Sequence, residues 1–142
     1  ENRLAKGQMS LGGIKLDLRK VKLPIFEVAT KEDHIAPAKS VFIGAKLLGS
    51  DVEFVLAGSG HIAGVVNPPD KMKYQHWTGP KLSKVATLDE WLSQAKEHPG
   101  SWWPRWTAWL SKYSGGWTAV REPGATLGAI EAAPGSYVRA KS

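Results

Sequence analysis

The chain has 142 residues, of which 42% are hydrophobic and 23% charged, with a net charge of +6; this balance belongs to a globular fold and excludes a disordered one. It contains no cysteine, which excludes a disulfide framework and thiolate metal sites within these residues, and no run of about 18 apolar residues, so no transmembrane segment is expected. The 19 basic residues are scattered and no nucleic-acid-binding motif accompanies them, so the surplus charge reads as a solvated surface, suited at most to a phosphate-bearing coenzyme, and no nucleic acid is expected as a partner.

In chain order, residues 1–20 read as a connector. Residues 1–6 can end a helix, with Gly7 just past its C-terminus. Gly12-Gly13 then turns the chain, and Ile14-Lys15-Leu16-Asp17-Leu18 alternates at strand period. Leu23-Pro24-Ile25-Phe26-Glu27-Val28-Ala29 is apolar enough for a parallel strand covered on both faces, with Pro24 near its start, where a missing N–H is tolerated. Its outer edge is expected to be unpaired within these residues. After a loop, Pro37 sits where a helix begins. Residues 38–48 place Val41, Phe42, Ala45 and Leu48 on one face of that helix. Gly49 ends it, and Val52-Glu53-Phe54-Val55-Leu56-Ala57 forms the next strand. Strand, helix and strand in this order make a right-handed βαβ unit, placed here in residues 21–86.

Residues 87–142 form a different segment. Thr87 followed by Glu90 is a capping-box pattern, opening a helix that carries Trp91, Leu92 and Ala95. Pro99-Gly100 breaks the chain, and Ser101 can cap a second helix. In that helix Trp102, Trp106, Trp109, Leu110 and Tyr113 recur at helical spacing, with Pro104 tolerated in the first turn. Such a face either packs on the rest of the domain or offers an apolar surface to a polymer or a partner. Beyond Gly115 the chain turns rich in Gly and Pro and reads as an extended arm.

The loops after the two strands carry the chemistry. Ligands of parallel sheets sit beyond the carboxyl ends of the strands, and Asp33 and His61 both lie just past those ends. A carboxylate after one strand and a histidine after the next is the back half of a nucleophile–acid–base triad on an α/β-hydrolase sheet. The imidazole would take a proton from a nucleophile while the carboxylate fixes its tautomer. Gly58, Gly60 and Gly64 around His61 are expected to permit positive φ and close backbone approach. His34, beside Asp33, is a candidate for stabilising the loop or for titrating a second time. The nucleophile is missing: there is no Cys, and Ser59 is preceded by Ala57-Gly58, not by the Gly-x of a Gly-x-Ser-x-Gly elbow. The expectation is therefore an α/β fold that is the C-terminal portion of a larger enzyme.

Thr30-Lys31-Glu32-Asp33-His34-Ile35-Ala36-Pro37 and Gly58-Ser59-Gly60-His61-Ile62-Ala63-Gly64-Val65-Val66-Asn67-Pro68-Pro69 resemble the acid and His loops of poly(3-hydroxyalkanoate) synthases. Glu97-His98-Pro99-Gly100-Ser101-Trp102-Trp103-Pro104 and Ile130-Glu131-Ala132-Ala133-Pro134-Gly135-Ser136-Tyr137-Val138 resemble the tail of their class I, short-chain-monomer branch. The resemblance runs from about Leu11 over nearly the whole chain. It implies an acyltransferase that polymerises (R)-3-hydroxyacyl-CoA into polyester and releases CoA, through a Cys-His-Asp triad. Asp33 and His61 would be its acid and base, Asp33 either only orienting His61 or also activating the 3-hydroxyl of the monomer, and the Cys would lie upstream of Glu1. It also implies no cofactor, the CoA thioester being substrate, and no metal. The implied partners are the growing polyester, the remainder of the synthase chain, a second copy in a homodimer and granule-associated proteins, in the cytoplasm at the polyester granule surface. Two other readings stand beside it: a different α/β hydrolase, such as an esterase or depolymerase, and a non-catalytic aromatic binding module.

Overall fold

The computed structural model describes residues 1–141. A short antiparallel hairpin of β1 (Ser10–Leu11) and β2 (Ile14–Lys15) precedes a four-stranded sheet of β3 (Ile25–Thr30), β4 (Val52–Ala57), β5 (Gln75–Thr78) and β6 (Lys96–Pro99), in that spatial order. β3 and β4 run parallel, pairing Ile25 with Val52 through Thr30 with Ala57, while β5 and β6 are antiparallel additions. The fold is thus mixed α/β.

Helix α1 (Ala38–Ala45) connects β3 to β4, and Pro37 precedes its first residue. Phe42 and Ala45 are buried, and Val41 and Leu48 pack beside them, so the expected helical face is the core face. The helix stops at Ala45, short of the expected Leu48, because residues 46–48 tighten into turns bonded to Gly44 and Ala45 carbonyls. Gly49 then passes so close to residues 18–20 that a Cβ there would lie 1.8 Å from the Arg19 carbonyl oxygen.

Side chains of β4 alternate between two cores, as the strand period of two requires. Phe54 and Leu56 join Phe42 and Trp91 on one face; Val55 and Ala57 join Trp102 on the other. Phe54 stands edge-on to both Phe42 and Trp91, with ring centroids 5.4 and 5.1 Å away. Trp91 belongs to α3 (Leu88–Ser93), which the capping pattern foretold: Thr87 Oγ1 accepts the Glu90 amide at 3.1 Å. On the opposite face α4 (Trp103–Leu110) follows Ser101, whose Oγ accepts the Trp103 amide at 3.1 Å. Trp102 and Trp109 lie 6.1 and 5.6 Å from the ring of Phe26. The tryptophans are therefore divided between both faces of the sheet.

Four segments differ from the sequence reading. Residues 1–6 form turns in place of a helix end, and the strand expected over residues 14–18 ends at Lys15, with Leu18–Lys20 a 3₁₀ turn. β5 and β6 were not foreseen; β6 runs into Pro99, the first residue of the Pro99-Gly100 pair read as a break. Beyond Leu110 every described residue except Gly135 is exposed, and Trp117 is fully open to solvent at 105% relative exposure. Among the described residues, the outer edge of β3 has no partner strand.

Candidate active site

Because β3 and β4 are parallel neighbours, the loops that leave their carboxyl ends meet on one rim. Two backbone bonds stitch them: Lys31 N to Ala57 O at 2.8 Å and Glu32 N to Ser59 O at 3.0 Å. Across this seam His61 Nδ1 lies 2.8 Å from Asp33 Oδ2, between residues 28 positions apart in sequence. The Asp33 side chain is 6% exposed and the His61 side chain 44%.

Asp33 is held from four directions. Its Oδ1 accepts the Ile35 and Ala36 amides, each at 2.8 Å, and its Oδ2 accepts the Thr30 hydroxyl at 3.1 Å as well as the imidazole. The Ala36 amide foremost, then His61, the Ile35 amide and Thr30, hold its carboxyl well below the usual carboxylate range, against the opposing effect of burial. An ionised Asp33 requires a proton on His61 Nδ1 and so leaves Nε2 as the basic nitrogen. Among the described residues Nε2 has no hydrogen-bond partner.

The glycines of the His loop act by closeness, not by handedness. The left-handed backbone falls on Ser59, with φ of 68°, while Gly58, Gly60 and Gly64 have no positive φ. A Cβ on Gly58 would lie 2.9 Å from Gln75 O, and one on Gly64 would lie 2.5 Å from Gly58 O and 2.7 Å from Thr30 Cγ2. Ser59 is a non-glycine residue in a strained region at the edge of the site. After His61 the chain makes a single helical turn, α2 (Ala63–Val66). Asn67, buried before the two prolines, donates through Nδ2 to Lys73 O at 2.8 Å and closes the exit.

The structure brings Asp33 and His61 together and leaves His34 apart. His34 is exposed and makes no side-chain hydrogen bond among the described residues. Thr30 was missed; only its place three residues before Asp33, as the last residue of β3, could have signalled it. Among the described residues no group of three or more His, Cys, Asp or Glu side chains is placed to hold a metal ion, and no helix is long and apolar enough to cross a membrane. Chemically, the pair can take a proton from a group presented to Nε2 and return it, with Asp33 stabilising the imidazolium formed in between.

No family model matches the chain. It is 58% identical over 139 residues to the poly(3-hydroxyalkanoate) polymerase subunit PhaC of Rhizobium etli, covering 96% of this chain and 21% of that protein. It is 54% identical over 144 residues to the subunit of the same name in Rhizobium meliloti, covering 100% and 23% respectively. With the poly(3-hydroxyalkanoate) polymerase of Methylorubrum extorquens it shares 52% identity over 143 residues, covering 99% and 23%. The chain thus spans about a fifth of the length of the curated relatives it matches.

Proposed function

Since the chain belongs to the poly(3-hydroxyalkanoate) polymerase family, we propose that its Asp33–His61 pair is the acid and base of a triad that joins (R)-3-hydroxyacyl groups into polyester. The observation that carries this reading is the 2.8 Å bond from His61 Nδ1 to Asp33 Oδ2 on the rim where parallel strands end. The chain has no cysteine, so the nucleophile comes from polymerase sequence outside these 142 residues. On this reading the mixed sheet is the C-terminal portion of an α/β-hydrolase fold. Residues 1–20 connect, 21–86 carry the acid and base, and 87–142 belong to the same domain.

The steps balance around one proton. His61 Nε2 takes the proton of the cysteine thiol, and the thiolate attacks the thioester carbonyl of (R)-3-hydroxyacyl-CoA. The bond from that carbonyl to the CoA sulfur breaks, and the imidazolium returns its proton to the departing CoA thiolate. In elongation Nε2 takes the proton of a 3-hydroxyl, whose oxygen attacks the cysteine thioester; the cysteine sulfur leaves and is reprotonated. Asp33 orients and stabilises the imidazolium and does not itself take the hydroxyl proton. Its oxygens already accept four hydrogen bonds, and its carboxyl is too acidic to act as a base near neutral pH.

No cofactor enters these steps; the CoA thioester is substrate. The growing chain places the enzyme at a polyester granule surface in the cytoplasm, with a second polymerase copy and granule-associated proteins as its partners. The test is His61→Ala in the polymerase, followed by CoA release from (R)-3-hydroxybutyryl-CoA. The expected result is near-complete loss of turnover with the fold retained; turnover at the wild-type rate overturns the assignment.

A further inference from the structure

Two tryptophans outside the acid–base pair grip the backbone on which His61 rides. Trp102 Nε1 donates to Gly64 O at 3.1 Å, and Trp103 Nε1 donates to Val65 O at 2.9 Å. The acceptors are consecutive carbonyls of α2, the four-residue turn that begins two residues after His61. A helix this short has little stability of its own, and its last carbonyls have no partner inside it. An indole N–H can only donate, and both indoles direct that single donor to the same turn. Trp102 is 9% exposed, so its bond is shielded from water, and its ring is stacked on Phe26.

Gly64 is also where the acid and the base share a support. Its α-carbon faces Thr30 so closely that a Cβ would come within 2.7 Å of Thr30 Cγ2. Thr30 in turn donates to Asp33 Oδ2, the same oxygen that meets His61. A closed circuit of contacts therefore runs from Trp102 to Gly64, Thr30, Asp33 and His61, and back along residues 61–64. Moving α2 would shift the imidazole and loosen the packing behind the carboxylate together.

We propose that Trp102 and Trp103 are positioning residues for His61, their indole N–H groups fixing α2 and, through it, the imidazole against Asp33. This rests on His61 being the general base. The experiment replaces Trp102 with 3-benzothienylalanine, which keeps the bicyclic shape and substitutes sulfur for the N–H; Trp102→Phe is run beside it. Nuclear magnetic resonance then follows the hydrogen-bonded Nδ1 proton of His61 and its exchange with water. The expected result is exchange faster by about five- to tenfold, the factor that one lost neutral hydrogen bond carries, with a cooperative thermal transition retained. An unchanged exchange rate in the folded benzothienyl protein overturns the proposal. Trp103→Phe, on a ring already 38% exposed, gives the same readout should neither position-102 variant fold. The resonance reports geometry without turnover, so failure here is separate from failure of the polymerase reading, which His61→Ala decides.

Discussion

Of the three glycines of the His loop, Gly64 has the least room for a side chain. Gly64→Ala places a methyl group 2.5 Å from the Gly58 carbonyl oxygen and 2.7 Å from Thr30 Cγ2, so one of the two loops must move. The expected outcome is destabilisation of about 1–3 kcal/mol, as for other overpacked interiors, together with a polymerisation rate reduced more than the stability loss explains. Thermal melting and CoA release measured on the same preparation check this. A fully active, equally stable Gly64→Ala protein would show that the contact gives way harmlessly. The sequence announced Asp33 and His61 because their identity and their place after two strands are enough: parallel pairing makes the juxtaposition unavoidable. It did not announce how the glycines work. Glycine-rich loops suggest positive φ, yet the strain sits on Ser59, since tertiary contacts with Gln75 and Thr30 decide which positions must lack a side chain.

At the scale of elements, the βαβ unit was legible and the strands that flank it were not. β3, α1 and β4 carry apolar patterns that match their burial, whereas β6 reads Lys-Glu-His-Pro and has no apolar periodicity. What holds it is pairing across the sheet. His76 lies opposite His98 with the rings stacked at 5.1 Å. His76 Nδ1 donates to Gly100 O at 3.1 Å, and His98 Nε2 meets Thr78 Oγ1 at 2.9 Å. Burial first, then the neighbouring His98 and Arg105, push the His76 imidazole below its ordinary value, partly offset by the Gly100 bond. A histidine depressed in the folded state takes up its proton more readily when unfolded. Stability is therefore full above the unfolded pKa of about 6.5 and declines as pH falls through that value toward the folded one. The thermal midpoint is expected to drop as pH falls below about 6.5, and His76→Gln should flatten that part of the curve. An identical slope in both proteins would place the proton uptake elsewhere.

For the molecule as a whole, both ends of the mixed sheet are open: among the described residues β3 and β6 are edge strands with one partner each. On the proposed reading, the outer edge of β3, the strand that leads to Asp33, is where polymerase sequence bearing the nucleophile would continue the sheet. The central claim is that this chain contributes a rigidly oriented base to a nucleophile that it lacks. Asp33→Asn tests it most directly, because the amide keeps the size of the side chain and removes the charge that sets the His61 tautomer. The deciding measurement is the rate of CoA release from (R)-3-hydroxybutyryl-CoA by the polymerase carrying Asp33→Asn, with its fold verified by melting. A fall on the order of 10³–10⁴-fold is predicted if the pair acts as other triads do; a rate equal to that of the unaltered enzyme would contradict it.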